Sequence, residues 1–254
     1  MRTAGWTDSV SVLDRVTAIL EAFGNDEEGL GVTELARRAN LPKSTVSRLV
    51  ADLVGRGYLD RDGNKIHLGV RLFELGQLVS QPRELRRASL PIMADLRSTT
   101  RETVHLAVLE GAEVVYVAVL RGRSPLGPMS QVGARRPAHS TALGKALLAV
   151  SSPTVVDRVL GTDLAATTPE TVTDPIRLRR ELTEFRRAGV ATESGETVPG
   201  VACAAAPILS YTGEPLAALS VSGAADEFPM ERIVHAVTTA SGALSRKIGS
   251  RVSA

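Results

Sequence analysis

Two short amphipathic segments and a polar hairpin, all within residues 31–68, constrain the fold more than any other feature of the 254-residue chain. Thr33 is a plausible N-cap for a first short helix with one apolar side. Pro42 ends that helix, because the residue before a proline is driven out of the helical region, and it suits the first turn of a second helix. The apolar residues of the second helix recur at helical spacing: Val46, Leu49, Val50 and Leu53. The pattern predicts two packed helices with a tight break between them.

The segment after the second helix has the signals of a β-hairpin. Gly55 and Gly57 end the helix, and the turn Arg61-Asp62-Gly63-Asn64 lies between Tyr58-Leu59 and Lys65-Ile66-His67-Leu68. Asp-Gly between two runs of strand-forming residues favours a tight turn. The whole segment therefore predicts a winged helix-turn-helix, with the hairpin as the wing.

The polar side of the second helix carries small hydroxyls and cations, which suits a DNA groove. Backbone N–H groups at the helix start, with Lys43 and Arg48, can bind phosphate, and short hydroxyl side chains can approach base edges. The residues predicted to contact DNA are Arg37, Lys43, Ser44, Thr45, Ser47, Arg48, Arg61 and Lys65. An alternative remains open, in which this is a small α/β subdomain with a solvated charged face.

The charge balance predicts modest nonspecific DNA affinity. Residues 1–80 carry ten Lys or Arg against eleven Asp or Glu, whereas residues 43–65 carry five cations against three acids. A local basic excess on the predicted reading helix and wing fits DNA contact, but it is too small for tight binding by one copy. We therefore expect tight DNA binding to depend on dimerisation.

Composition limits the other classes of function. The chain is 43% apolar, so it can build a sizeable core, but no apolar run approaches the roughly 20 residues of a membrane span. Charged residues stand near the N-terminus where a secretory signal would be apolar, so we expect a soluble cytoplasmic protein with no membrane partner. One cysteine, Cys203, and four scattered histidines give no zinc-type spacing, and we predict no metal and no cofactor.

Helical and strand patterns outside residues 31–68 divide the chain further. Ser11 can cap a helix to about Phe23, with an inward stripe of Leu13, Val16, Leu20 and Phe23. Residues 69–79 form an amphipathic linker helix that pairs with its copy in a dimer or packs within its own domain. Pro82 and Pro91 bracket a cation-rich stretch near the domain boundary. The predicted domains are 1–68, 69–89 and 90–254.

The rest of the chain predicts an α+β domain with an antiparallel sheet and flanking helices. The predicted strands are 103–109, 113–120, 201–209 and 215–222. The predicted helices are 90–100, 141–150, 153–160, 175–188 and 229–248, with Ser152 and Asp174 as caps of the third and fourth.

A glycine-bearing loop, residues 133–144, leads into a helix start that is rich in hydroxyls. Free backbone N–H groups and the helix dipole favour an anion there, so a carboxylate is the natural ligand group, although Ser140 and Thr141 could simply cap the helix. Ser220 and Ser222 alternate along a strand and can offer two hydroxyls on one face. Leu126 and Met129 could form an apolar wall or belong to a core.

No catalytic motif is complete. Leu143-Gly144-Lys145 resembles the end of a phosphate-binding loop, but His139 stands at the first glycine position and Ala146 follows the lysine. There is no nucleophile elbow, and His139 beside Ser140 is only adjacency in sequence. The alternatives left open are a small-molecule sensor or enzyme with an accessory helical domain, and an interaction module whose N-terminal unit only dimerises.

Five segments in order give the chain a resemblance to the IclR family of bacterial transcriptional regulators, from about Ser9 to Ile248. They are LARRANLPKSTVSRLV, IHLGVRLFELG, ETVHLAVLEGAEVVYV, VGARRPAHSTALGKALLA and GETVPGVACAAAPI. The resemblance implies a winged helix-turn-helix joined by a linker helix to a GAF-like effector-binding domain. It also implies dimers or tetramers on palindromic operators, and no catalysis. Ile66 and Gly195 depart from residues common in the family.

The resemblance also places the 133–144 loop and four later residues around an effector. The residues predicted to bind it are Met129, Gly133, Ala134, His139, Ser140, Thr141, Ala142, Glu193, Cys203, Ser220 and Ser222. Cys203 could instead be a small core residue, and Glu193 a solvated acid. A pocket with hydroxyls, a helix N-terminus and an apolar wall suits a small organic or aromatic carboxylic acid. The predicted function is a regulator, repressor or activator, in which this effector reorients two DNA-binding heads through the linker helix.

Overall fold

The computed structural model describes residues 11–24, 28–123 and 131–249, and it divides into two compact units, residues 1–80 and 81–254. The first unit is mainly helical with one hairpin, and the second is a six-stranded antiparallel sheet with helices. The predicted α+β class is thus confirmed.

The first unit is a three-helix core with a wing. Its elements are α1 (Val12–Glu21), α2 (Val32–Arg38), α3 (Lys43–Gly55), β1 (Leu59–Asp62), β2 (Lys65–Leu68) and α4 (Val70–Leu78). One apolar cluster joins α1, α2, α3 and the hairpin, and its fully buried members are Ile19, Leu35, Val46, Val50, Leu59 and Ile66. The helices hold together because each buries one apolar stripe in this shared core.

The first two helices differ from the sequence predictions in two respects. Ser11 caps α1 as predicted, and its hydroxyl accepts a hydrogen bond from the Asp14 backbone N–H. Leu13, however, is 72% exposed, because it lies about 120° around the helix from buried Ile19 at about 3.6 residues per turn. Gly31, not Thr33, is the N-cap of α2. Leu30 pairs with Ile66 of β2, so the extended chain ends there and the helix starts at once.

The break and the wing follow the predicted pattern with longer strands. Asn40 adopts a left-handed conformation at φ 52°, which turns the chain before Pro42, the N-cap of α3. β1 and β2 pair antiparallel, with Asp62 opposite Lys65 and only Gly63 and Asn64 in the loop. Arg61 and Asp62 therefore lie in β1 and not in the turn.

The second unit contains six strands and five helices among its described residues. Its elements are α5 (Ser80–Thr100), β3 (Thr103–Glu110), β4 (Glu113–Leu120), β5 (Arg135–Pro137), α6 (Ala142–Val150), α7 (Pro153–Leu160), α8 (Pro175–Ala188), β6 (Ala191–Ser194), β7 (Val201–Leu209), β8 (Pro215–Ala224) and α9 (Met230–Gly249). α5 starts at Ser80 and not near Leu90, and it continues through Pro91. Leu85 and Met93 are buried on either side of that proline, so packing keeps the helix continuous.

Helices cover both faces of the sheet, whose strand order is β5-β4-β3-β8-β7-β6. α6, α7 and α8 share one apolar cluster with one face, and α5 and α9 share another with the opposite face. The two edge strands, β5 and β6, are three and four residues long and were not predicted. Segments this short carry too few residues to show alternation.

Candidate functional site

α3 presents a polar face away from its core. Its inward residues are all buried: Val46, Leu49, Val50 and Leu53. Lys43, Ser44, Ser47 and Arg48 are exposed, and Thr45 is half-buried. The same helix that completes the core therefore displays hydroxyls and cations from its N-terminal half, as the sequence predicted.

The predicted cations differ in how they are engaged. Within the described ranges, Lys43, Arg48 and Arg61 make no ion pair, so their charges can meet an external anion. Lys65 Nζ donates to the Gly29 carbonyl at 3.2 Å. Arg37 binds Glu34 with two nitrogens, at 2.6 and 2.9 Å. Arg37 and Arg38 lower the pKa of Glu34 to about 2, so Arg37 would have to exchange a carboxylate partner for phosphate.

In the second unit a recess opens between the sheet and the start of α6. Its volume is about 510 Å³, which includes the open mouth. Its lining residues are His105, Tyr116, Arg136, Thr141, Ala142, Leu143, Glu193, Thr197, Val198, Val201, Cys203, Ser220 and Ser222.

Strand register builds the floor of this recess. Glu193 of β6 lies opposite Cys203 of β7, and Cys203 lies opposite Ser222 of β8. Ser220, two residues before Ser222, lies opposite His105 of β3. Because alternate residues of a strand share a face, this register gathers polar side chains from four strands on the α6 side of the sheet.

Apart from Glu193, the floor residues form hydrogen bonds but carry no charge. Ser222 Oγ donates to Cys203 Sγ at 3.1 Å, and Ser220 Oγ lies 3.4 Å from His105 Nδ1. Burial lowers the pKa of His105 to about 4 and raises the pKa of Cys203 to about 12. Burial also raises the pKa of Tyr116, whose ring centroid is 5.2 Å from that of His105. At neutral pH these groups are therefore uncharged.

The start of α6 and Arg136 give the recess its positive side. Thr141 caps the helix, and its hydroxyl accepts the Gly144 N–H at 3.0 Å. Ala142 and Leu143 belong to the first turn, where N–H groups have no acceptor within the helix, and both residues line the recess. The helix dipole and the Arg136 guanidinium both favour an anion on this side.

Glu193 gives the recess an acidic side at the other edge strand. Its Oε2 accepts the Glu196 N–H at 2.9 Å. Burial raises the pKa of Glu193 to about 7; the Glu196 charge also raises it, while backbone hydrogen bonds and Lys145 oppose the shift. The carboxyl therefore exchanges its proton near neutral pH.

A buried ion pair lies directly behind Glu193. Lys145 of α6 is fully buried, with Nζ 2.5 Å from Glu196 Oε1 and 2.9 Å from Glu181 Oε2. The Val172 N–H donates to Glu196 Oε2 at 3.2 Å. Because Glu196 also donates its N–H to Glu193, this pair holds the acidic side of the recess in place.

Six of the predicted effector residues line the recess: Thr141, Ala142, Glu193, Cys203, Ser220 and Ser222. Four others do not: Gly133, Ala134, His139 and Ser140. His139 Nε2 is 3.1 Å from the Ala165 carbonyl, and the Ser140 hydroxyl donates to Pro137 at 3.4 Å. The backbones of Gly133 and Ala134 hydrogen-bond to Tyr116 of β4 beside the recess. Met129 and Leu126 lie outside the described residues.

Seven lining residues are absent from the predicted effector set, although the 133–144 loop includes two of them, Arg136 and Leu143; the seven are His105, Tyr116, Arg136, Leu143, Thr197, Val198 and Val201. His105 left a usable signal, because it is an ionisable residue inside an otherwise buried strand. The loop prediction included Arg136 but did not single it out, since its side-chain position depends on an edge strand of three residues.

Within the described parts of the chain, no three His, Cys, Asp or Glu residues come together as a metal site would require. None of the helices in these ranges has the length and apolar composition needed to cross a membrane.

Comparison with known proteins agrees with this architecture. The family described as bacterial transcriptional regulator IclR C-terminal matches residues 77–249, and the IclR helix-turn-helix domain matches residues 12–63. The HTH-type transcriptional regulator KdgR of Escherichia coli (strain K12) is 34% identical over 248 residues, which cover 95% of this chain and 94% of KdgR.

Solved structures give the same result. An IclR homolog from Microbacterium hydrocarbonoxydans, complexed with 4-hydroxybenzoate, is 34% identical with a TM-score of 0.86, over 94% of this chain and 100% of that one. The Thermotoga maritima IclR is 29% identical with a TM-score of 0.77, over 93% and 98% of the two chains. These matches cover both units of the chain. The chain belongs to the IclR family of bacterial transcriptional regulators.

Proposed function

We propose that this regulator binds a palindromic operator through α3 and the β1–β2 hairpin, and that it senses a small organic carboxylic acid in the recess of its second unit. The observation that carries the proposal is the recess itself. It combines a helix N-terminus and Arg136 with the floor residues His105, Cys203, Ser220 and Ser222, which form hydrogen bonds but carry no charge at neutral pH. An anionic ligand therefore meets a positive charge at only one end of the recess.

A hydroxylated aromatic acid is the first ligand to test. The Microbacterium homolog was solved with 4-hydroxybenzoate, and it is 34% identical to this chain. A carboxylate at Arg136 and the α6 start leaves an aromatic ring over Tyr116, His105 and the serines of the floor. Hydroxyls there can bond a polar substituent on the ring.

Self-association supplies the second DNA-binding head in this proposal. α4 and the residue after it carry exposed apolar side chains: Val70, Phe73, Leu75, Leu78 and Val79. A palindromic operator needs two heads at a fixed spacing, and an apolar helix paired with its copy can provide them. The proposed assembly is a homodimer or a dimer of dimers.

A DNA titration tests the reading surface. Fluorescence anisotropy with DNA from upstream of the protein's own gene, at several salt concentrations, compares the wild type with Lys43→Ala and Arg48→Ala. Each variant should bind more weakly, with a salt slope reduced by about 0.9 per lost phosphate contact. Arg187→Ala, an exposed cation on α8, is the control. Unchanged affinity in both α3 variants would overturn the assignment.

Calorimetry tests the recess. 4-Hydroxybenzoate and other small carboxylic acids are titrated into the wild type, Arg136→Gln and Arg135→Gln. Arg135 neighbours Arg136 on β5 but pairs with Glu113 at 3.0 Å and does not line the recess. We expect at least about tenfold weaker binding in Arg136→Gln only, from loss of a charge-assisted pair. Equal effects of both changes would contradict the site, and conversion of any acid into a product would favour an enzyme instead.

A further inference from the structure

We propose that Glu193 determines which acids the recess accepts. Its carboxylate accepts a hydrogen bond from a hydroxyl at the end of the ligand remote from the ligand's own carboxylate, and it rejects a second carboxylate at that end. The inference rests on the proposed function, because it takes the recess to be the effector site.

The strand order separates Arg136 from Glu193. Arg136 lies on β5 and Glu193 on β6, the two outermost strands of the six-stranded sheet. Both side chains nevertheless line one recess, so the curled sheet brings a cation and an acid to opposite sides of a common floor. A ligand whose carboxylate lies at Arg136 can therefore extend across the floor toward Glu193.

The acid is held rather than mobile. Glu193 is only 7% exposed, and its Oε2 accepts the Glu196 N–H at 2.9 Å. The Glu196 side chain is fixed by Lys145 at 2.5 Å and by the Val172 N–H at 3.2 Å. Glu193 thus cannot swing into solvent to avoid an incoming anion without breaking this arrangement. Lys145 and Glu196 act as positioning residues for it.

Ionisable groups from every neighbouring element face this position. They are Lys145 of α6 with its second partner Glu181 of α8, Glu196 of the following loop, and the recess residues Cys203, Tyr116, His105 and Arg136. The burial of Glu193 outweighs the effects of these neighbours and is the main reason why its pKa rises to about 7. His105, Cys203 and Tyr116 remain neutral at that pH.

The pH dependence has a definite sign. Above pH 7 Glu193 is ionised, so it accepts a hydrogen bond from a hydroxyl but repels a carboxylate. A ligand with a second carboxylate must bind together with a proton on Glu193. Its affinity should then fall about tenfold per pH unit above 7, whereas a hydroxy acid should show no such fall.

Calorimetry from pH 6 to 8.5 with two probes tests this. 4-Hydroxybenzoate and benzene-1,4-dicarboxylate differ at the remote end and are titrated into the wild type, Glu193→Gln, Glu193→Asp and the exposed control Glu184→Gln. In Glu193→Gln the dicarboxylate should bind independently of pH, and at least about tenfold more tightly at pH 8 than in the wild type. Glu193→Asp should keep the pH dependence, and Glu184→Gln should match the wild type.

The outcomes separate the two proposals. If the wild type binds these acids but Glu193→Gln leaves the ratio of the two affinities and its pH dependence unchanged, Glu193 is not the selector, while the recess remains the effector site. If the wild type binds neither acid, the proposed ligand class is wrong and the role of Glu193 is wrong with it. Should Glu193→Gln fail to fold, retained pH dependence in Glu193→Asp supports the proposal and its loss overturns it.

Discussion

Lys145 shows how one residue can hold three parts of the second unit. It is fully buried, and its ammonium bridges Glu181 of α8 and Glu196 of the loop that faces the recess. Burying a charge is costly unless partners compensate for it, and here two carboxylates do. Removing the lysine leaves those carboxylates without their cation in a water-poor site.

Lys145→Met should therefore lower the free energy of unfolding by about 3–5 kcal/mol, the usual range when one partner of a buried pair is lost. Urea denaturation followed by circular dichroism measures this. Arg179→Met is the control, since its partner Asp157 is 60% exposed and such pairs contribute at most about 1 kcal/mol. Adding Glu196→Gln should recover part of the loss. A difference between the two single variants below about 1 kcal/mol would contradict the prediction.

Gly144 is required by close backbone approach. A Cβ at this position would lie 2.2 Å from the Ala138 carbonyl oxygen, so α6 and the preceding loop would have to separate. Gly144→Ala should destabilise the second unit by about 1–3 kcal/mol and weaken binding of 4-hydroxybenzoate, because the α6 start moves. Gly242→Ala in α9 meets only the end of the Arg246 side chain and should be neutral or up to about 1 kcal/mol stabilising. Thermal unfolding and calorimetry compare them, and equal stability of both variants would be evidence against the steric argument.

At the scale of elements, the sequence predicted those helices and strands whose formation depends on residues close together in the chain. The apolar spacing of α3 and the Asp62-Gly63 pair identified the helix and the hairpin, because residues close together in the sequence determine both elements. α5 differed, since packing around Pro91 outweighs the helix-breaking tendency of proline. Recess residues such as His105 and Arg136 come together only through strand pairing across the sheet. No sequence window contains that information.

α4 is the element whose packing within its own unit is least complete. Leu78 is 73% exposed and Phe73 is 66% exposed, which is unfavourable for a helix that stays alone in water. If α4 pairs with its copy, Leu78→Glu should place two charges in an apolar interface and shift the protein toward monomer by at least about 100-fold in dissociation constant. Analytical ultracentrifugation measures the shift, with Ile176→Glu as the control, since Ile176 is an apolar residue of α8 that is 64% exposed. A wild type that sediments as a monomer would show that α4 serves another purpose.

At the scale of the whole molecule, the proposed DNA-binding surface and the recess belong to different compact units. A ligand can regulate DNA binding only if it changes the free energy of DNA binding, and by linkage DNA must then change ligand affinity by the same factor. The chain passes from the first unit to the second at the end of α4. A continuous α4 is therefore the simplest path for such coupling.

Gly76 allows this path to be tested without touching either site. It lies within α4, and no atom comes within 4 Å of a Cβ built there, so Gly76→Ala should preserve or strengthen the helix. Gly76→Pro should kink it, since proline removes an N–H donor and clashes with the preceding turn. The affinity for 4-hydroxybenzoate is measured with and without saturating operator DNA. The ratio of these two affinities should be at least about fivefold in the wild type and in Gly76→Ala, and near one in Gly76→Pro. The affinity of Gly76→Pro for 4-hydroxybenzoate without DNA should equal that of the wild type. A wild-type ratio in Gly76→Pro would mean that the coupling does not depend on an unbroken α4, and that contacts between protein copies carry it instead.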